Sequence, residues 1–492
     1  MLRTVNDGPT LWESVIPECL MGLPGDLGEI DVLLDDARFF EPFRPFFDPV
    51  IGRPSIPIET YVRMMFLKYR YRLGFEPLCR EVADSLAWRR FARVPLGTRV
   101  PHPTTLMKIT LRCGEGAIHD LNEALLAKAY ENKVIKCDRV RADTTVVEAN
   151  VAYPTDSGLL AKGVARLARL TAALKEAGLA TRTKARNRTR SVRRRAHGIA
   201  VWLRRRNDDA KAEVLTITGE MTAIALRSVA DARRVAVNAR RGVRRRGARV
   251  SGKTVALIGQ LERTAELVER VAAQTRVRLA GDVPDGATRV VSLHDPDARP
   301  IAKGRLGKPI EFGYKAQVVD NPDGVVVDYV VGKGNPPDAP MLAPAIERIA
   351  QRAGRVPRAV TADRGYGEAG VDRDLEALGV THIAIPRKGR PGTARQQQQR
   401  ARRFVRLVKW RTGSEARISC LKRDYGWRRT LNDRETGVMT WCGWGVLTHN
   451  ATKIAALTNT QPDQPSNPTP PQPTPTTGDT GPPGRQRTPT RT

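Results

Sequence analysis

The 492-residue chain carries 83 Lys and Arg against 52 Asp and Glu, a formal net charge of +31, with its arginines clustered rather than evenly spread. An excess of this size favours a polyanionic partner, because neutralising nucleic-acid phosphates releases condensed counterions; the bland alternative is a ribosomal-type or simply soluble basic protein. Its six cysteines lie far apart with no C-x-x-C pair, no apolar run reaches about 18 residues, and the N-terminus lacks a signal-peptide pattern, which argues against a zinc ribbon, a disulfide framework and a membrane span and makes a cytoplasmic protein the expectation.

Hydrophobic residues at 40% supply a sizeable core, and a chain of this length divides into about two to four units. Residues 1–55, with RFFEPFRPFFDP, read as packed loops and short helices. From 56 to 130 the apolar residues recur every three or four positions, as in IETYVRMMFLKYRYRLGF, and predict helices. A further helix is expected from near Leu106, with the hydroxyl of Thr104 or Thr105 capping its free amides. Short helices joined by tight turns and faced with Arg and Lys fit a helix-turn-helix-like DNA-binding module, or equally a helical packing unit.

Residues 133–150 alternate around valines and read as a strand ending in a carboxylate-bearing turn. Residues 157–280 break that pattern with a long helical insertion carrying basic blocks at Arg193 to Arg195, Arg204 to Arg206 and Arg244 to Arg246. A stripe through Leu261, Leu267, Val268 and Val271 gives one of its helices an apolar face. An arginine-rich helix is often only a solvated face, but triplets this dense suit DNA or a second subunit. Mixed α/β structure returns over 288–460: a hairpin around Asn-Pro-Asp-Gly, a helix near Ala339 to Ala353, a strand ending at Asp363, a strand over THIAIP, an exposed polar helix at RQQQQRARR, and helices over WRTGSEARISCLKRDYG and WGVLTHNATKIAALT. The final Pro/Thr-rich stretch reads as a disordered tail.

Three acids stand where chemistry would use them. Asp143 is placed at the end of one predicted strand and Asp363 at the end of another, with Gly365 and Gly367 allowing a sharp turn beside it, while Glu415 sits on a basic helix. Each has an ordinary reading by itself: a turn former, a helix cap, or a surface acid paired with arginine. Acids at strand ends can nonetheless converge on hard divalent cations, which take carboxylate oxygens, water and substrate phosphate. Arg411, four residues before Glu415, and Lys422, seven after, share its helical face and could grip DNA phosphates.

These residues also carry a resemblance. RTGSEARISCLKRDYGWRR with CGWGVLTHNATKIA resembles the last catalytic block of insertion-sequence DDE transposases, most closely the bacterial ISNCY-type group. VTADRGYG resembles their second-aspartate block, VRADTTVVEANVAYPTDSGLL the first, and RPSIPIETYVRMMFLKYRYRLGFEPLCREVADSLAWRRF with PHPTTL the helical domain ahead of the core. The blocks occur in the family's order over most of residues 50–457. The resemblance implies an α/β fold: an RNase H-like mixed-sheet catalytic core over 131–457, interrupted by the insertion at 157–280, preceded by an N-terminal helical, DNA-binding domain over 1–130 and followed by the tail at 458–492. It makes Asp143, Asp363 and Glu415 the catalytic acids and ligands of Mg²⁺ or Mn²⁺, and Arg411 and Lys422 DNA-binding residues of a Y-R-E-K signature. Val408 stands where that signature has tyrosine, leaving the contact absent or supplied by Trp410, and the insertion falls between the two aspartates rather than after the second.

Asp138 and Asp156 rival Asp143 as first acid; the odd separation of Asp138 from Asp143 puts them on opposite strand faces, favouring Asp143 beside its two threonines. The implied partners are double-stranded DNA, as terminal inverted repeats and target, and further copies of the chain. A nuclease without strand transfer and an inactive DNA-binding relic are the alternatives.

Overall fold

The computed structural model describes residues 1–4, 15–17, 22–205, 208–247, 250–303, 307 and 309–460. The expected tail lies outside them from residue 461. Among the described residues no helix is long and apolar enough to cross a membrane.

A mixed sheet forms the centre of the fold. β1 (Arg139–Glu148) pairs antiparallel with β3 (Ile310–Asp320) on one side and parallel with β5 (Ala359–Ala362) on the other. β6 (His382–Ala384) extends the parallel side beyond β5. Gly313 of β3 pairs with Glu148 on one edge and with Arg299 on the other, so β2 (Arg299–Ala302) and β4 (Val326–Lys333) share the edge of β3 that faces away from β1. Apolar, β-branched sequence drives this. β5 is buried at every position, as a strand covered on both faces must be. The Asn-Pro-Asp-Gly turn between β3 and β4 forms as its sequence predicts: Gly324 takes a positive φ of 81°, and Asn321 Oδ1 accepts the Val325 amide at 2.9 Å.

The N-terminal helices are α1 (Leu27–Leu34), α2 (Ile58–Arg70), α3 (Phe75–Asp84), α4 (Leu86–Phe91) and α5 (Pro103–Glu131), with short 3-10 turns before α2. α5 begins earlier than the threonines predict. Pro103, whose ring presets a helical φ, opens it, and His102 is the cap, its ring nitrogen accepting the Thr104 amide at 3.3 Å. Gly114, at φ 59°, breaks α5 into two segments. α2 is buried from Ile58 to Tyr69, and even Arg63 within it is 1% exposed, paired with Asp31 and Glu59.

These helices do not close a core of their own. Their apolar residues run into one continuous core with the sheet and the last helix, α15 (Glu435–Thr460). Tyr61 meets Trp444 edge-on at 5.8 Å and Tyr69 meets Trp441 at 5.2 Å. Close approach requires glycine here: a Cβ on Gly443 would lie 2.6 Å from Ile118 Cγ2, and Gly443 O accepts from Asn122 at 3.1 Å. Asn450 of α15 pins β4, accepting the Val326 amide at 2.9 Å and donating to the Val326 carbonyl at 2.8 Å.

Between β1 and β2 the chain leaves the sheet for a bundle of α6 (Asp156–Glu176), α7 (Thr189–Trp202), α8 (Asp208–Arg246) and α9 (Gly252–Leu279). The bundle has a separate hydrophobic core, in which Leu261, Val268 and Val271 are fully buried and Leu267 lies at the margin. Its foot is tied down by Gln274, which donates to Asp156 Oδ1 at 3.0 Å and accepts the Val290 amide at 2.9 Å. After β4 come α10 (Ala339–Ala353), α11 (Ala369–Ala377), α12 (Thr393–Arg400), α13 (Arg402–Arg411) and α14 (Gly413–Asp424). α13 lies on β5 and β6, and α14 on β1 and β3.

Candidate active site

The parallel register of β1 and β5 pairs Ala142 with Ala362, so Asp143 and Asp363 are the next residue on two neighbouring strands. β5 stops at Ala362 and Asp363 begins a turn, as its sequence predicts. β1 does not stop. Asp143 lies mid-strand rather than at its end, because β3 continues to pair β1 as far as Gly313. Asp143 Oδ1 accepts the Thr144 amide at 2.8 Å, and Asp363 Oδ1 accepts the Gly365 amide at 2.8 Å, capping the 3-10 turn Arg364–Tyr366.

The glycines after Asp363 serve crowding, not unusual dihedrals, since neither has a positive φ. A Cβ on Gly365 would lie 2.8 Å from Asp338 Oδ2 and 3.0 Å from Asp363 Oδ1, and one on Gly367 would lie 2.0 Å from Pro386 O.

Glu415 does not share one continuous helix with Arg411. The segment expected as a single helix is two, α13 and α14, joined at Thr412. Arg411 is therefore the last residue of α13 and, contrary to expectation, shares no helical face with Glu415 and Lys422. It reaches across to the sheet instead, with Nη1 donating to Asp143 Oδ2 at 3.2 Å. Glu415 sits exposed in the first turn of α14, where the helix dipole favours a carboxylate, and Lys422 lies two turns further along the same helix.

Despite the break, one cleft of about 750 Å³ is lined by all five residues, Asp143, Asp363, Glu415, Arg411 and Lys422. Thr144, Thr145, Glu148 and Glu311 line it too, as do the cations Arg72, Lys303, Arg423 and Arg428, which sequence reasoning did not single out. Burial pushes the Asp143 carboxyl up to about 6; the Thr144 amide and Arg411 oppose this, while the carboxylates of Asp363 and Glu415 add to it.

The rivals lie elsewhere. Asp138 is exposed beside Arg355 at 3.5 Å, and Asp156 is buried at the foot of the bundle. Trp410 does not reach the cleft. It lies beneath Arg139 and Arg141, whose guanidinium carbons are 4.9 and 4.7 Å from its ring centre.

Beneath the cleft is a charge clasp. Arg141 is two residues before Asp143 on the same face of β1, and its cross-strand partner is Asp320. Arg141 Nε and Nη2 donate to the two Asp320 oxygens at 2.9 and 2.7 Å, while Arg417, two residues past Glu415, comes within 3.5 Å of Asp320 Oδ2. Arg141 also donates to Trp410 O at 2.8 Å, holding the end of α13. A single buried carboxylate thus joins β1, β3 and α14. Glycines make room for both arginines: a Cβ on Gly413 would lie 2.2 Å from Arg141 Nη1, and one on Gly324 2.4 Å from Arg417 Nη2.

The cleft's donor set fits a hard divalent cation, since the donors are carboxylate oxygens and Asp143, raised chiefly by its burial and further by the carboxylates of Asp363 and Glu415, would be eased by a bound cation. Among the described residues no group of three or more His, Cys, Asp and Glu is already arranged as a metal site, and Arg411 now occupies one oxygen of Asp143. A second basic groove of about 600 Å³ lies among the N-terminal helices, lined by Arg53, Arg99, Lys108 and Arg112 together with Pro54, Pro57, Pro95 and Pro101.

Comparison with known proteins bears on both places. Residues 23–112 match the family described as a transposase domain (DUF772), and residues 287–450 match the family described as a transposase DDE domain. Asp143 and the helical bundle fall between the two matches. Over 143 residues the chain is 28% identical to an uncharacterised protein, ORF8 in the nfe locus of Rhizobium meliloti, covering 27% of this chain and 66% of that protein. No solved structure matches. Both family matches are to transposase domains, and residues 287–450 carry a transposase domain of the DDE type.

Proposed function

We propose that the chain cuts DNA at the ends of a bacterial insertion sequence, of the ISNCY-type group, and joins those ends to target DNA, with Asp143, Asp363 and Glu415 as its catalytic acids. The observation that carries the reading is the single cleft in which two neighbouring strands and α14 collect these three carboxylates among cations. The sheet supports an RNase H-like core, with three antiparallel strands, β4, β3 and β1, followed by parallel β5 and β6.

Asp143, Asp363 and Glu415 would hold Mg²⁺ or Mn²⁺, which supplies Lewis-acid activation of an attacking oxygen and stabilisation of a leaving one. Lys422 and Arg411 bind the phosphates flanking the scissile bond, Arg411 exchanging its contact with Asp143 for DNA. Water attacks the phosphodiester at the element's end and releases a 3′-hydroxyl. That hydroxyl then attacks a target phosphodiester in line and displaces a target 3′-oxygen, with no covalent bond to the protein. Thr144 and Thr145 line the same wall and help orient the strand. The groove at Arg53, Arg99, Lys108 and Arg112 grips the terminal inverted repeat, and two copies of the chain bring both ends together in the cytoplasm.

The test is cleavage of end-labelled element DNA in Mg²⁺. Asp363→Ala is expected to abolish cutting while retaining the gel-shift complex; cutting that persists removes Asp363 from the mechanism. Pre-cut ends offered with a target plasmid separate transposition from simple nuclease action, since only the proposed enzyme joins them.

A further inference from the structure

The insertion bundle is basic throughout, but its acids are confined to one part of it. Where α8 faces α9, arginines meet acids: Arg233 Nη1 donates to Glu269 at 3.1 Å and Arg240 Nε donates to Glu262 at 2.6 Å. The side built from residues 177–205 has no such balance. That stretch holds ten Lys and Arg and not one Asp or Glu.

α7 shows how the imbalance is presented. Arg188, Val192, Arg195 and Ile199 follow helical spacing along one face, and that face is fixed to the bundle. Val192 and Ile199 are buried in its core, Arg188 pairs with Asp231 at 2.5 Å, and Arg195 pairs with Glu220 at 2.6 Å. Arg190, Arg193, Arg194 and His197 fall on the opposite face and are exposed, with Arg204 and Arg205 exposed just past the helix end. Two arginines are spent holding the helix in place while the others are held out as a rigid row. A helix of 14 residues is about 20 Å long at 1.5 Å per residue, and about 20 Å of duplex offers on the order of a dozen phosphates.

We propose that the outer face of α7 seats duplex DNA by its phosphate backbone, without reading base sequence, at a site apart from the catalytic cleft. Charge decides the occupant. A second copy of the chain carries the same formal +31, whereas duplex DNA brings a continuous row of negative charge. The proposal rests on the reading of the chain as a DNA-acting enzyme, not on which acids cut.

The test uses the full chain and a random-sequence duplex, with affinity followed by fluorescence anisotropy across a salt series. Replacing Arg190, Arg193, Arg194 and Arg204 together by alanine is expected to make the slope of log K against log salt shallower by about 3.6, at about 0.9 for each lost contact. Between 50 and 200 mM salt the wild type would then lose on the order of 100-fold more affinity than the variant. A companion variant, Arg233→Ala with Arg240→Ala, which removes arginines already paired with Glu269 and Glu262, is expected to leave the slope unchanged, and circular dichroism checks that both remain folded. An unchanged slope in the first variant overturns the proposal. So does an equal change in both variants, or a loss of self-association on sedimentation with DNA binding intact. A wild type that binds with the expected slope but never cuts overturns the catalytic reading and leaves this one standing.

Discussion

Asp320 offers the sharpest test of how the cleft is held together. It is 1% exposed and bonded to Arg141 through both oxygens at 2.9 and 2.7 Å, with Arg417 at 3.5 Å on the second oxygen. Asp320→Asn keeps the shape and removes the charge, leaving two guanidinium groups around a neutral amide. Removing one partner of a buried ion pair costs about 3–5 kcal/mol, because the remaining charge stays desolvated without compensation. Urea unfolding is expected to show that loss as a lower midpoint with an unchanged slope. DNA cleavage at saturating DNA is expected to fall as well, since Arg417 then no longer fixes the first turn of α14, where Glu415 sits. Adding Arg141→Met to Asp320→Asn removes one stranded charge and is expected to recover part of the stability without the activity. A loss below about 1 kcal/mol would refute the electrostatic argument, and full activity in a destabilised Asp320→Asn would refute the claim that the clasp positions Glu415.

Other outcomes follow from single contacts. Burial, then Arg417, holds the His449 imidazole down at about 3, below its ordinary 6.5, so the unfolded chain takes up a proton before the folded one does. Its contribution is complete above pH 6.5 and is lost as pH falls toward 3, about 1.4 kcal/mol per unit; between pH 7 and 5 the wild type is expected to lose about 2 kcal/mol more than His449→Gln, and parallel profiles would reject this. Gly413→Ala places a methyl 2.2 Å from Arg141 Nη1 and is expected to cost about 1–3 kcal/mol in denaturant unfolding. Gly443→Ala forces a methyl to within 2.6 Å of Ile118 and is expected to lower the melting temperature by several degrees, which calorimetry reads directly. Lys422→Ala is expected to weaken DNA binding uniformly across sequences and reduce the salt slope by about 1, whereas a sequence-dependent loss would make it a base-reading residue.

How much of this was legible beforehand depended on the range of the forces involved. The turn at Asn321, the strand leading to Asp363 and the apolar stripe of α9 follow from neighbours in sequence, and the structure has them as the periodicity requires. That Asp143 should stand beside Asp363 is a matter of register between strands far apart in the chain, which no local pattern encodes. The break between Arg411 and Glu415 was hidden for the same reason: Gly413 reads as a tolerable helix residue, and only the guanidinium of Arg141 pressing against it reveals its role. His102 caps α5 where a hydroxyl at Thr104 or Thr105 is the usual choice, because Pro103 starts the helix two to three residues earlier. The arginine triplets were visible, but which arginines are spent against acids and which face outward depends on helix pairing within the bundle.

The packing of α2 against α15 has a consequence for where DNA is cut. Tyr61 and Tyr69 are wedged against Trp444 and Trp441, so the basic groove among the N-terminal helices and the cleft on the sheet share one continuous core. Under the proposed function, DNA gripped in the first would present to the second a stretch whose length is set by packed rings rather than by a linker. The protein would then act as a gauge: moving the recognised sequence by one base pair is expected to move the cut by one base pair, and loosening the tyrosine–tryptophan contacts to blur its position before cutting is lost.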